Sequence, residues 1–364
     1  MSERNAYRIA VIPGDGIGKE VIREGVRVLT HIAQNAREPF GIAFDTFGWG
    51  SEYYLENGRM MPEDGLDQIK NHDAIYFGAV GWKTVPDHVS LWGLRLNITQ
   101  NFDQWANIRP VKFLPGIKRV LNRPELGDLE WILIRENSEG EYGGFGGRNF
   151  SGRGDGKEIA LQTSVFTEQG CERIIRYAFD VAMTRKRKKV TSATKSNAQQ
   201  YGMVLWDEIF ASVSKDYPEV ETEQWLVDAM AARFVQKPES LEVVVGSNLI
   251  ADILSDLGSA LAGSLGLASS ANLNPERRFP SMFEPVHGSA PDIAGMGIAN
   301  PIGTISSGAL MLRHLGLLDA ANALERSIEA AVAQGALTPD VGGKFSTTQV
   351  TDAIIAQLDR HLKP

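Results

Sequence analysis

Hydrophobic and polar positions along this chain fall into blocks whose period changes. Arg8-Ile-Ala-Val-Ile-Pro-Gly-Asp-Gly-Ile-Gly18 is a short apolar run that breaks at glycines, and Lys19-Glu-Val-Ile-Arg then takes up helical spacing. The pattern predicts a strand, a glycine turn and a helix. FGIAFDTF, a helix near 62–71 and DAIYFGAVG repeat the alternation, which predicts a parallel sheet covered by helices. From Ala106 the strand-like segments end in polar clusters. WILI runs into Arg135-Glu-Asn, Val190-Thr-Ser-Ala-Thr into Lys195-Ser-Asn, and VVV into Gly246-Ser-Asn. Ligands of α/β sheets gather outside the carboxyl ends of strands, so Arg135, Lys195 and the segment after Asn248 are expected to converge. Thr167 is the predicted N-cap of a helix with Ile174, Ile175, Ala178 and Ala182 on one face. The basic run 185–189 that follows reads as a solvated C-terminal turn.

Between Val243 and Pro275 the chain carries only two charges, Asp252 and Asp256. Their spacing puts both carboxylates on one helix face. Leu249, Ile250, Ile253, Leu254 and Leu257 form the predicted apolar stripe, leaving Asn248, Asp252, Asp256 and Ser259 on a narrow polar one. Two like charges one turn apart need a cation between them, or one takes up a proton. Two readings stand at this point: an acidic face turned to water, or a site for a hard divalent ion such as Mg²⁺ or Mn²⁺.

At 364 residues the chain exceeds one hydrophobic core, so two lobes with a cleft are expected. A net charge of −8 argues against a general nucleic-acid binder. The single cysteine, Cys171, excludes an intramolecular disulfide framework and fits a reducing compartment. No run approaches membrane-spanning length and the first residues lack a signal-peptide core, so a cytoplasmic protein without membrane partners is expected.

The PGDGIG turn invites comparison with a dinucleotide fingerprint, with Asp45 at the end of a second strand as the ribose-binding acid. The fingerprint needs a third glycine where Lys19 stands, so a tight strand-to-helix turn is an equal reading. The glycine-rich segment 143–158 reads as an exposed arm or hairpin and oligomer contact, or, as the more ordinary reading, as a mobile surface loop. More specific is Glu284-Pro-Val-His-Gly-Ser-Ala-Pro-Asp-Ile-Ala-Gly295, continuing through Gly297-Ile-Ala-Asn-Pro301. Its density of proline, glycine and small residues makes a rigid loop that a ligand can approach closely, with His287, Asp292 and Asn300 as polar readers.

The EPVHGSAPDIAG…GIANP string, with IPGDGIGKEV at one end and ANPIGTISSGALML near the other, resembles the β-decarboxylating dehydrogenases, the family of isopropylmalate, isocitrate, tartrate and D-malate dehydrogenases. The resemblance implies an α/β, isopropylmalate dehydrogenase-like two-domain fold, with a mixed parallel and antiparallel sheet and an intersubunit arm. It implies a nucleotide-binding domain from 1–104 plus 263–364, and a substrate, metal and dimerisation domain over 105–262 with the arm at 143–165. It assigns Mg²⁺ or Mn²⁺ to Asp252 and Asp256 together with Asp228 of WLVDAMA, the last reaching in from the second subunit of a homodimer with shared active sites. Tyr142 and Lys195 match the catalytic tyrosine and lysine. Arg109 and Arg135 match arginines that hold substrate carboxylates.

The same resemblance implies that Ile12, His287, Gly288, Ser289, Ala290, Asp292, Ile293 and Asn300 bind the dinucleotide. NADP-specific relatives carry lysine and tyrosine where this chain has Asp292 and Ile293. An aspartate there accepts ribose hydroxyls and repels a 2′-phosphate, so NAD is the expected cofactor. Some relatives also imply K⁺, for which no residues stand out. PDHVSLW, residues 86–92, resembles the tartrate and D-malate enzymes. The expected activity is oxidation of a small 2-hydroxy dicarboxylic acid, tartrate or D-malate, with β-decarboxylation. A 3-isopropylmalate dehydrogenase and a metabolite-binding protein on the same fold are the alternatives. One departure stands out: where the family usually has a further arginine, ten residues before Arg109, this chain has Thr99. Arg95 is its candidate substitute, given a change of helix register.

Overall fold

The computed structural model describes residues 6–123 and 129–362. Among them are twelve strands: β1 (Ala6–Gly14), β2 (Gly41–Thr46), β3 (Ala74–Ala79), β4 (Ala106–Lys112), β5 (Glu130–Glu136), β6 (Gly140–Asn149), β7 (Ile159–Val165), β8 (Lys189–Thr194), β9 (Glu221–Leu226), β10 (Val243–Gly246), β11 (Ser269–Leu273) and β12 (Ser281–Pro285). The chain divides into two compact units, one of 1–104, 109–129 and 258–364, the other of 105–108 and 130–257. Strand β4 contributes to both.

In the first unit the strand order is β2-β1-β3-β12-β11. Strands β2, β1, β3 and β12 run parallel, and β11 pairs with β12 antiparallel. That last pair corrects the purely parallel sheet read from the β/α alternation and gives the mixed sheet implied by the family resemblance. The antiparallel turn is allowed because β11 and β12 follow each other without a helix, so no crossover forces them parallel. The helix Gly18–Asn35 buries Val21, Ile22, Val28, Leu29 and Ile32, each contributing about 1.5–3 kcal/mol of hydrophobic stabilisation. It packs on β3 and on the helices Ile302–His314 and Thr347–His361. Gly25 makes this approach possible, since a Cβ there would lie 2.1 Å from the Tyr76 hydroxyl, which itself donates to Thr304 O at 2.7 Å.

In the second unit the order is β5-β10-β8-β9, all parallel. The helix Glu168–Met183 covers β5 and β10, with Thr167 Oγ1 accepting from Gly170 N at its start as the sequence predicts. Trp131 and Phe234 meet edge to face at 5.6 Å, and the buried Trp206 indole donates to Ser192 Oγ at 2.9 Å. The basic run is not a free turn. Arg187 N and Lys189 N both donate to the buried Glu242 carboxylate at 3.0 Å, and Lys189 begins β8 with its ammonium on Glu221. Strands β6 and β7 form a separate antiparallel hairpin over the predicted arm segment, with Phe145, Ile159 and Leu161 exposed.

Candidate active site

The PGDGIG turn is built around Asp15. Its buried carboxylate accepts from Ser51 N and Ser51 Oγ at 2.7 Å each and from Gly81 N at 2.9 Å, which locks the turn to the start of the helix Ser51–Asn57 and to the segment after β3. Asp45 is likewise accounted for within the fold. Its Oδ2 accepts from the Arg8 guanidinium at 2.5 Å and lies 2.9 Å from His72 Nε2, and the His72 and Arg8 bonds hold its carboxyl below the usual range. Both carboxylates have partners within the fold, which favours the tight-turn reading over the fingerprint one.

The same turn carries the 287–300 loop. Ile17 N donates to Ser289 O at 2.8 Å, and a Cβ on Gly16, which sits at φ +54°, would lie 2.0 Å from that oxygen. Only glycine permits this approach. Ala290, Ile293 and Ala294 pack on Ile17, Val21 and Ala299. Glu20, from the first turn of the following helix, accepts from Gly295 N and, at 3.0 Å, from Gly297 N. Asn300 donates to Asp340 at 3.1 Å. The loop is thus held on its inner side while Gly288 has open space around it. His287 Nε2 is buried without a hydrogen-bond partner, its Nδ1 lies 2.9 Å from Gly288 O, and burial lowers its pKa. An orphaned ring nitrogen beside an open glycine fits a ligand with hydrogen-bonding edges. Asp292 is exposed, and the ammonium of Lys83 at 2.6 Å lowers its pKa. Ile12 is fully buried among Ile75, Phe77 and Met282, which leaves only its backbone to offer a ligand.

In the second unit Arg135, at the end of β5, is almost wholly buried. Its Nε and Nη2 donate to Asn248 Oδ1 at 3.0 and 2.7 Å, and its Nη1 donates to Asp252 Oδ1. The guanidinium lies 5.3 Å from the centre of the Tyr142 ring, whose hydroxyl donates to Asp252 Oδ2 at 3.2 Å. Arg135, Tyr142, Asn248 and Asp252 therefore form one cluster, with Asp256 exposed one turn further along the helix Asn248–Ala262. The predicted faces of this helix are partly redrawn. Asn248 and Ser259 are buried and hydrogen bonding draws Asn248 inward, whereas Leu249 and Ile253 are exposed, Ile253 to 59%.

Lys195, just beyond β8, pairs with Asp228 at 2.5 Å, and this ammonium holds the Asp228 carboxyl below its ordinary range. Lys195 and Asp228 are thus a second group. Among the described residues no three acidic, histidine or cysteine side chains converge on a metal-sized site within one chain. The donor set still suits a hard cation. Asp252, Asp256 and Asp228 offer only carboxylate oxygens, and the Asp252 side chain keeps 29% of its surface exposed. Arg109 is buried on β4.

Arg95 ends a π-helical turn, Leu91–Arg95, which inserts about one extra residue into the helix and not the four that separate Arg95 from Thr99. Its guanidinium lies on Glu284, with Nε 2.8 Å from Oε1, and reaches Asn272 Oδ1 at 3.4 Å. Thr99 is fully buried and donates to Leu96 O at 3.2 Å. Glu284, Glu20 and Asp340 are not singled out by the sequence pattern. A glutamate inside the otherwise uncharged strand SMFEP is the one signal that could have pointed to a buried basic partner.

The family model described as Isocitrate/isopropylmalate dehydrogenase matches residues 8–354. A probable tartrate dehydrogenase/decarboxylase of Agrobacterium vitis is 57% identical over 348 residues, covering 96% of each chain. The D-malate dehydrogenase [decarboxylating] of Escherichia coli strain K12 is 52% identical over 354 residues, 95% of this chain and 97% of that one. The crystal structure of isocitrate dehydrogenase from Methylococcus capsulatus superposes with a TM-score of 0.88 at 33% identity, covering 97% of this chain and 99% of the other. The chain belongs to the isocitrate/isopropylmalate dehydrogenase family and is an oxidoreductase of the decarboxylating dehydrogenase class.

Proposed function

We propose that the protein oxidises a small 2-hydroxy dicarboxylic acid, tartrate or D-malate, with NAD and a divalent metal, and decarboxylates D-malate to pyruvate and CO₂. The observation that carries this reading is the cluster in which Tyr142 meets Asp252 beside the buried Arg135. The relatives named for tartrate and D-malate support the choice of substrate. Asp252, Asp256 and the partner's Asp228 would hold Mg²⁺ or Mn²⁺. The 287–293 loop with Asn300 and the backbone of Ile12 would hold NAD, Asp292 reading the ribose hydroxyls. When bound, the metal supplies Lewis acidity at the substrate's oxygens and NAD accepts the hydride from C2.

Arg135 and Arg109 bind and orient the substrate carboxylates. Lys195 is the residue placed to take the proton of the 2-hydroxyl. After CO₂ leaves, the Tyr142 hydroxyl delivers a proton to the carbon it vacated. The shared site implies a homodimer. The exposed Leu249 and Ile253 beside Asp252, and the exposed apolar side chains of the β6–β7 hairpin, suit burial against a second copy.

The test is NADH formation with NAD and Mn²⁺, comparing D-malate, tartrate and 3-isopropylmalate. Turnover of the first two well above the third is expected. A preference for 3-isopropylmalate, or no NADH from any of them, overturns the reading. Lys195→Met is expected to abolish turnover while NADH still binds.

A further inference from the structure

The geometry points to Glu141 as a positioning residue: its carboxylate docks the start of the helix Asn248–Ala262 onto the strand that carries Tyr142, and so sets how Tyr142 meets Asp252. This role rests on the functional reading above for its catalytic consequence, and on geometry alone for the docking.

Glu141 Oε1 accepts from Ser247 Oγ at 2.9 Å and Oε2 accepts from Leu249 N at 3.1 Å. Both donors lie at the helix start, where the first-turn N–H groups have no intrahelical acceptor and a carboxylate is favoured by the helix dipole. The helix therefore takes its cap from another element. The contact belongs to a seam of consecutive residues. Glu139 O accepts from Asn248 Nδ2 at 3.2 Å, Glu141 holds Ser247 and Leu249, and Tyr142 reaches Asp252 at 3.2 Å. An extended strand would send Glu141 and Tyr142 to opposite sides. Here Gly140 takes φ +72° and the β6–β7 register shifts between Gly140 and Phe145, which lets both side chains reach one helix. A side chain at Gly140 would meet only ordinary contact with Asn248 Cβ at 3.5 Å, so it is the positive φ that calls for glycine there. Beyond Tyr142 the hairpin runs out into exposed positions, so Glu141 is the last charged anchor before it.

Both Glu141 oxygens are filled by neutral donors, so its task is to fix Tyr142 and Asp252 relative to each other. Glutamine at this position can keep both contacts, its amide oxygen accepting from Leu249 N and its amide NH₂ donating to Ser247 Oγ, but loses the negative charge that the helix start favours; alanine loses both contacts. A displacement of about 1 Å at a proton donor costs up to roughly 100-fold in rate.

The test compares Glu141→Gln and Glu141→Ala in the wild-type and Tyr142→Phe backgrounds, measuring kcat, the KM for substrate and for NAD, and deuterium uptake of peptides spanning 247–252. Glu141→Ala is expected to lower kcat by about 10- to 100-fold with the KM for NAD within about twofold, Glu141→Gln falling between. In the Tyr142→Phe background the further loss shrinks to less than about threefold, because the residue acts through Tyr142. Uptake at 247–252 speeds up in Glu141→Ala. Equal losses in both backgrounds, an unchanged kcat in an active enzyme, or unchanged uptake each overturn the proposal. A wild-type enzyme inactive on D-malate and tartrate overturns the functional reading instead, while the exchange data still decide the docking.

Discussion

Arg95 and Glu284 form a buried ion pair, with Arg95 Nη2 2.7 Å from Glu284 Oε1 and side chains only 11% and 6% exposed. Asn272 Nδ2 donates to the same carboxylate at 2.7 Å. Removing one partner of such a pair strands a buried charge at a cost of about 3–5 kcal/mol, whereas removing both together costs far less. Arg95→Met is therefore expected to lower the midpoint of urea unfolding markedly, and Glu284→Gln added to it to recover part of the loss. A large rise in substrate KM at unchanged stability would instead assign Arg95 to the substrate clamp.

The proposed division of the aspartates between two chains predicts complementation. Asp252→Asn and Asp228→Asn are each expected to raise the Mn²⁺ needed for half-maximal activity by about 100-fold or more, and Mn²⁺ binding followed by calorimetry to weaken in parallel. At a Mn²⁺ concentration too low for either variant alone, co-refolding the two restores about a quarter of wild-type activity if each site draws on both copies, because half the dimers carry one intact site. No recovery on mixing would place all three aspartates in one chain.

Lys83 and Asp292 predict how the ribose end is read. The pair is exposed on both sides, so it contributes little to stability and Lys83→Ala should leave the unfolding midpoint unchanged. Asp292→Asn is expected to raise the KM for NAD about tenfold, the scale of one lost charged hydrogen bond, and to narrow the preference for NAD over NADP. Steady-state kinetics with both dinucleotides decide this. Unchanged selectivity would remove Asp292 from the cofactor site.

His314 predicts the acid limb of stability. Burial, and secondarily the charge of Arg277, lower its pKa from 6.5 to about 4. The unfolded chain binds a proton in this window and the folded chain does not, so the contribution is complete above pH 6.5 and is lost as pH falls toward 4. Allowing for its partial exposure, the loss is about 1–2 kcal/mol. Urea melts at pH 7 and pH 4.5 should show a smaller drop for His314→Asn than for the wild type. Equal drops would remove His314 as a cause.

Local pattern made several elements legible without a structure. The Thr167 cap, the apolar face of the helix it starts, the strands ending at Arg135 and Lys195, and the helical spacing of Asp252 and Asp256 all follow from contacts within a few residues. The long EPVHGSAPDIAG segment carried the family, because a rigid loop needs a particular string of small residues. What each polar group touches was not legible. Asp15 answers to Ser51 and Gly81, Asp45 to His72, Arg95 to Glu284 across 189 residues, and Glu141 to Leu249 across 108. Side-chain period tells which way a residue points on its own element and nothing of the partner facing it. The sequence alone thus determined the family, the periodic elements and the chemistry-bearing residues. Only the tertiary structure decided which carboxylates are spent on holding the fold, because a buried charge is settled by the donor that packing brings to it.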